Sequence, residues 1–360
     1  MRFVFEKRKT LSRKALFLVP LSSFFISLVL TAILLAIFKA NPFVTFIAMF
    51  KGAFGSWPNF TETLVKATPL MLTGLGVLIA FRLQFWNRRV DGQLTLGGSS
   101  ATWVALFWSP FLPSWMVLPL AILVGMLAGA LWAGIPALLK VRLKVDEVLT
   151  TLMLNYVAIL FAEHLYYGPW RDPKGFGFPG TPQFPDFTWL PRIAGRAHLG
   201  LIFALVLALM LWFVLNRTRW GFELEVIGNN PGAAQTQGIK IAKNIMIALL
   251  LAGALAGLAG VCEVTGISRR LQQGLSIGYG YTAIIVAWLA QLNPIAAIFV
   301  ALLIAALLVG GDQADMMMGL PAAMGLVLQG MLLFPMLAGS LFTEYKLRII
   351  RTKLKKASSI

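Results

Sequence analysis

The chain has 360 residues, of which 58% are hydrophobic and only 12% charged, against about 25% charged in an ordinary soluble domain. That balance, a mean hydropathy of +0.79 and repeated apolar runs close to the ~20 residues that cross a bilayer exclude a soluble globular protein. The net charge of +17 sits at the ends of apolar runs, where it orients spans and meets anionic lipid, so it does not argue for nucleic acid.

Backbone groups in lipid must be satisfied within their own segment, and strand alternation is absent, so the expected fold is an all-α transmembrane bundle. The basic N-terminus, 1–14, carries Arg2, Lys7, Arg8, Lys9, Arg13 and Lys14. Ala15–Phe38 is longer than the apolar core of a cleaved signal and no small-residue cleavage site follows it, so it reads as a retained anchor. Ten spans are expected, at about 15–38, 62–81, 91–108, 115–139, 148–167, 199–216, 244–265, 279–292, 294–311 and 320–342, within a transmembrane domain of 15–342. A basic tail, 343–360, closes the chain. With both termini in the cytoplasm, 22 Lys and Arg fall inside and 9 outside, the bias that orients helical membrane proteins.

Between the second and third spans, FWNRRVDGQLTLGG places Asn87, Asp91 and Gln93 at a membrane re-entry, and TTLMLNY puts Asn155 inside an apolar helix. Their hydrogen-bonding groups would line a solute path; equally, Asn87 and Asp91 would cap helix ends. Glu163 and Glu263 fall near the outer ends of their spans, where pairing with Lys or Arg competes with a proton-relay role. The external loop 168–198, rich in Pro, Gly and aromatics, reads as ordered irregular structure, a docking surface or a cap over helix ends.

The segment 217–243 is a polar island on the cytoplasmic side. Within it Asn230 is placed to cap a helix opening on Pro231, and Gly238 to end it in the left-handed conformation. Small side chains, Ala233 and Ala234 among them, lie between. In the next span Gly253-x-x-x-Gly257 lets helix backbones approach, within the chain or between subunits.

The missing chemistry is equally informative. Cys262 is the sole cysteine and there are two histidines, so neither a disulfide framework nor a Cys/His metal cluster is encoded. No G-x-x-x-x-G-K-[ST] occurs, so ATP cannot be cradled by a phosphate loop in this chain.

Several stretches together resemble one family. NRRVDGQ (Asn87–Gln93) is similar to the F-N-I-G-x-E-G-Q signature of the permease subunits of bacterial ABC importers for simple sugars and nucleosides, in the class that also holds branched-chain amino acid permeases. VDEVLTTLMLNY, GPWRDPKGFGFP, GFELEVIGNNPGAAQTQGI, GLSIGYGY, LNP and GGD continue the register from about Leu72 to Asp312. Arg88-Arg89 replace the family's Ile-Gly, Asp91 its Glu, and Thr282-Ala283 a common Asp-Gly. The resemblance implies a transport subunit of the bacterial inner membrane, not an enzyme, that binds no cofactor of its own. ATP and Mg would belong to a separate ATPase, docked through a coupling helix in the block holding Glu223, Asn230, Pro231, Ala233, Ala234 and Gly238. It also implies a second permease subunit, identical or related, and an extracytoplasmic solute-binding protein or lipoprotein. An ion-coupled secondary transporter is the alternative, and a membrane scaffold without transport a third reading.

Overall fold

The computed structural model describes residues 2–7, 13–85, 90–276, 278–318 and 345–350, with scattered positions between 327 and 339. Asn87, with Arg88 and Arg89, lies outside the described residues, as does most of the expected span 320–342. The chain divides into one unit of Met1–Met49 with Gly311–Ile360 and a second of Phe50–Gly310.

In the first unit the basic ends are not plain tails. The strand Arg2–Lys7 pairs antiparallel with Tyr345–Ile350, Arg2 opposite Ile350 and Lys7 opposite Tyr345. This departs from the all-α expectation, although the described residues are otherwise overwhelmingly helical. Helix α1 (Arg13–Ile37) is followed by a turn through Lys39, whose φ of 58° is left-handed. A second helix, α2 (Pro42–Phe54), then leaves at 116° to the Phe25–Ile37 part of α1. No span was expected between 38 and 62; Asn41 Oδ1 accepts from Phe43 N–H at 3.0 Å and Pro42 occupies the first turn, so the Asn-Pro pair starts a helix there.

The second unit is a helical bundle. In chain order it holds α3 (Trp57–Arg82), α4 (Asp91–Trp103), α5 (Ser114–Leu143), α6 (Glu147–Tyr167), α7 (Gly200–Arg217), α8 (Arg219–Asn229), α9 (Pro231–Thr236), α10 (Ile241–Cys262) and α11 (Tyr279–Leu289). A further helix, α12 (Pro294–Met318), begins in it. Six helices among the described residues are long and apolar enough to cross a membrane, or seven if the bent α1–α2 pair is one span. The chain is therefore a multi-pass helical membrane protein. Helices α3 and α10 form the centre, with α3 buried almost throughout, while α5, α6 and α7 leave most of their surface uncovered, as lipid-facing helices do.

Small residues set the central packing. A methyl group on Gly97 would collide with the Gly257 backbone, one on Gly253 with the Gly129 carbonyl, and one on Gly260 with the Leu94 carbonyl. Backbone contact of this kind, which only glycine allows, draws α4, α5 and α10 together. The Gly253-x-x-x-Gly257 motif is thus used inside the chain.

Two expected spans, 91–108 and 244–265, run into π-helical turns, the second within one continuous span, Ile241–Ser268. Helix α4 gives way to a π-helical turn, Val104–Trp108, and α10 to another, Glu263–Ser268. Helix α11 has 11 residues, about 16 Å at 1.5 Å per residue and so roughly half of a hydrocarbon core. Its C-terminal end lies beside the ends of α3 and α7: Arg82 donates to Leu215 O at 3.2 Å, Asn216 Oδ1 at 3.2 Å and Leu292 O at 3.3 Å. A full helical span over 279–292 is therefore corrected to a half-length helix that starts inside the bundle.

The loop 168–198 is an ordered cap. Phe184 N–H donates to Arg269 O at 2.9 Å, Thr181 N–H to Leu271 O at 2.9 Å and Leu190 N–H to Thr265 O at 3.2 Å. The Arg269 guanidinium lies 3.7 Å above the Trp189 ring, a cation–π contact. Its last residues form a small hairpin of Arg192–Ala194 with Ala197–His198. His198 is 1% exposed and its Nδ1 accepts from Gly200 N–H at 3.2 Å; burial pushes the imidazole down to about 4.

Candidate functional site

The first region is where α4 begins. Asp91 is its first residue and is buried, at 4% exposure. It does not cap its own helix, as the sequence suggested: Val90 occupies that position, with no side-chain cap bond. Instead Asp91 Oδ1 accepts from Gly280 N–H at 2.8 Å and from the Ser276 hydroxyl. The carboxylate thus caps α11, a helix 189 residues further on. Gly280 has no side chain because a Cβ there would meet Asp91 Oδ2.

Gly92 faces α6, where an added Cβ would sit 3.0 Å from Asn155 Cα and 3.3 Å from Asn155 Oδ1. Asn155 is 1% exposed, and neither its Oδ1 nor its Nδ2 has a hydrogen-bond partner. Gln93 is 3% exposed, with Oε1 also unpartnered. Each such buried group costs about 1–3 kcal/mol unless something satisfies it. One turn along α6 from Asn155 a cavity of about 330 Å³ opens, with Thr95, Ile159, Glu163 and Tyr166 on one side and Leu271 to Ser276 on the other. The structure brings Gly92, which stands between Asp91 and Gln93 on α4, against Asn155 of α6, and the cavity begins one turn further along α6; Asn87 is outside the described residues.

The expected pairing of the two carboxylates near span ends is absent: among the described residues neither Glu163 nor Glu263 forms a salt bridge. Glu163 lines the cavity, and Glu263 is 9% exposed with Oε2 unpartnered. The membrane-end pairs formed are Lys140–Glu147 and Arg196–Glu62, which local reading passed over.

The second region is the polar island, which contains two helices rather than one. Helix α8 starts at a Thr218 cap, and its Glu223 accepts from Arg219 Nε at 3.0 Å and from Asn244 Nδ2 of α10 at 3.0 Å. Gly228 rests on the Arg82 carbonyl, so α8 lies across the end of α3. Helix α9 follows as the capping chemistry predicted: Asn230 Oδ1 accepts from Ala233 N–H at 3.1 Å, Pro231 is its first residue, and Gly238 has φ of +73°. Two of the expected docking residues face inward. Ala234 is fully buried, and Glu223 is held by Asn244; the outward face of α9 is Pro231, Gly232, Gln235 and Thr236.

Short helices, α4 and α11, that meet at a buried carboxylate inside an apolar bundle, with a cavity beside them and a capped polar module at the helix ends, suit a solute-transport membrane protein. The model of the branched-chain amino acid transport system / permease component family matches residues 59–337. A glucose ABC transporter permease protein of Haloferax volcanii is 32% identical over 356 residues, 96% of this chain and 93% of that protein. A guanosine ABC transporter permease protein of Bacillus subtilis is 32% identical over 351 residues, 94% and 97% of the two chains. A nucleoside ABC transporter permease protein of Lactococcus lactis is 30% identical over 305 residues, 81% and 83%. No solved structure matches the chain. The chain belongs to this permease family. It is the permease subunit of an ABC importer, a transport component and not an enzyme, and the ion-coupled alternative is not favoured.

Proposed function

We propose that this permease carries a neutral, hydroxyl-rich solute, a nucleoside or simple sugar, across a bacterial inner membrane. The observation that carries the reading is the buried Asn155 amide, unpartnered among the described residues and one helical turn from Ile159 in the wall of the 330 Å³ cavity. Amides both donate and accept, which suits hydroxyls and nucleobase edges. The names of the three relatives, for glucose, guanosine and nucleosides, support the same class.

In this reading the chain passes the membrane ten times with both ends in the cytoplasm. The excess of Lys and Arg in the assigned cytoplasmic segments supports it, as does the pairing of the first strand with the last, which holds both chain ends on one side. The face of α9 seats a separate ATPase subunit that holds ATP and Mg, a second permease copy or relative completes the pathway, and an extracytoplasmic solute-binding protein or lipoprotein delivers the solute.

The test begins with a thermal-shift screen of the accompanying binding protein against nucleosides and monosaccharides. ATP-dependent uptake of the hit is then measured in proteoliposomes, with Asn155→Leu as the comparison. Loss of uptake with ATPase docking intact supports the assignment. Undiminished uptake by Asn155→Leu would remove its basis.

A further inference from the structure

Among the described residues that line the 330 Å³ cavity, Glu163 is the one charged side chain. It is half-buried, has no salt-bridge partner and accepts no hydrogen bond among the described residues. A carboxylate kept without a partner near the end of a membrane span is costly, so its place in a cavity wall points to a ligand. Asn155, Ile159 and Glu163 follow at intervals of four along α6 and share one of its faces. The carboxylate therefore stands two turns beyond the buried Asn155 amide on the same side of the helix.

The other wall supplies complementary groups. Gln272 Oε1 accepts from Arg270 Nε at 2.6 Å, and the Tyr167 hydroxyl lies 3.4 Å from Gln273 Oε1, which leaves both amide NH2 groups to donate. This wall is fixed to the cap. Thr181 N–H donates to Leu271 O at 2.9 Å, Leu271 N–H donates back to Thr181 Oγ1 at 3.1 Å, and Gly180 pairs with Gln272. An acceptor on a helix and donors on an anchored segment thus stand on the two walls of one cavity. Ile159, Tyr166 and Leu275 add apolar surface, and a largely apolar lining with a few placed polar groups is the make-up of a small-molecule site.

We propose that this cavity is a subsite for two adjacent hydroxyls of the solute, which donate to the Glu163 carboxylate and accept from the Gln272 and Gln273 amides. This rests on the solute-path reading above and names the group that reads the hydroxyls. A carboxylate offers about four lone-pair sites on two oxygens, so it takes both donors at once. A hydroxyl gives and takes hydrogen bonds and so satisfies both walls. An ammonium ion would pair with Glu163 but brings no lone pair for the amides, and an anion would be repelled by the carboxylate. The subsite therefore selects a neutral diol over a charged solute of the same size.

The test uses the complete membrane complex with its ATPase in lipid nanodiscs, without the binding protein, so that the cavity alone discriminates. Cys262→Ala removes the native thiol, and Ile159→Cys places a reporter in the cavity wall. Protection of this thiol from a small water-soluble maleimide is titrated with inosine, 2′-deoxyinosine, D-glucose, 3-deoxyglucose and choline. With Glu163 in place, inosine or glucose should protect at about tenfold lower concentration than its deoxy analogue, the scale of one lost charge-assisted hydrogen bond. Glu163→Gln should erase that preference by weakening the diol probe and leaving the deoxy probe nearly unchanged. Gln273→Leu, on the exposed part of the other wall, should narrow it in the same way. A preference that survives Glu163→Gln overturns the subsite, and so does an equal shift of diol and deoxy probes in both variants, which marks a structural role. Choline protecting better than either diol overturns it in favour of a cationic solute. If neither inosine nor glucose protects while Glu163 is present, the solute class itself falls and the subsite with it.

Discussion

Gly257 gives the most direct test of how the bundle is built. A Cβ there would collide with the Gly125 carbonyl oxygen and lie 3.2 Å from both Gly125 C and Gly129 Cα. All of these are backbone atoms, so no rotamer change relieves the contact and α10 must move off α5. Overpacking of this kind costs about 1–3 kcal/mol, partly offset by the ~0.8–1 kcal/mol by which alanine exceeds glycine as a helix former. Gly257→Ala should therefore be destabilising by about 1–2 kcal/mol. Gly134→Ala on α5 is the control, because its Cβ would touch only Leu250 Cδ2, at 3.1 Å, the movable end of a side chain. There the propensity gain prevails and stability should stay level or rise by up to about 1 kcal/mol. Thermal unfolding of the purified complex in one detergent, followed by tryptophan fluorescence, compares the two. If Gly257→Ala melts at or above the wild-type temperature, the close contact does not set the helix spacing and the reasoning fails.

Asn230→Ala removes the cap of a six-residue helix, at a cost of about 1 kcal/mol; co-purification of the ATPase should fall severalfold and recover with Asn230→Asp. Arg82→Met strands three acceptors on α7 and the α11–α12 turn; a loss of about 2 kcal/mol is expected in detergent unfolding, and no loss would show that these bonds do not tie the helix ends. His198 predicts acid sensitivity. Its folded value of about 4 lies below its ordinary 6.5, so its contribution is complete above pH 6.5 and is lost as pH falls toward 4, by roughly 3 kcal/mol in all. His198→Asn should flatten the pH dependence of unfolding over that interval, and an unchanged slope would point to another group.

The features legible in the sequence are those with local causes. The Asn230 cap, the Pro231 start and the left-handed Gly238 depend on residues three to eight positions apart, and each is found in α9. Gly253 and Gly257 likewise share one face of one helix. Asp91 caps a helix end, as was open to it, but which helix was not legible, because its partners lie 185 and 189 residues away, where no periodicity points to them. Hydropathy runs unbroken through 279–292 and says nothing of depth, so the half-length of α11 was hidden. Helix α2 was missed because Asn41-Pro42 punctuates as a stop while also starting the next helix. Helix α8 was missed because RWGFELEVIGN is short and charged, and what stabilises it, the Glu223–Asn244 bond and the Gly228 contact, is tertiary. The strand pairing of the chain ends lies in basic sequence without apolar alternation.

The three attachments of α8 have a mechanical consequence. Its first end continues from α7 at Thr218, its middle is bound to α10 through Glu223, and its last turn bears on α3 at Arg82. With its support spread over three helices it is a bracket, and α9 projects from the free end like a short handle. A load placed on α9 therefore reaches three helices at once, through the Thr218 link, the Glu223–Asn244 bond and the Gly228 contact on Arg82.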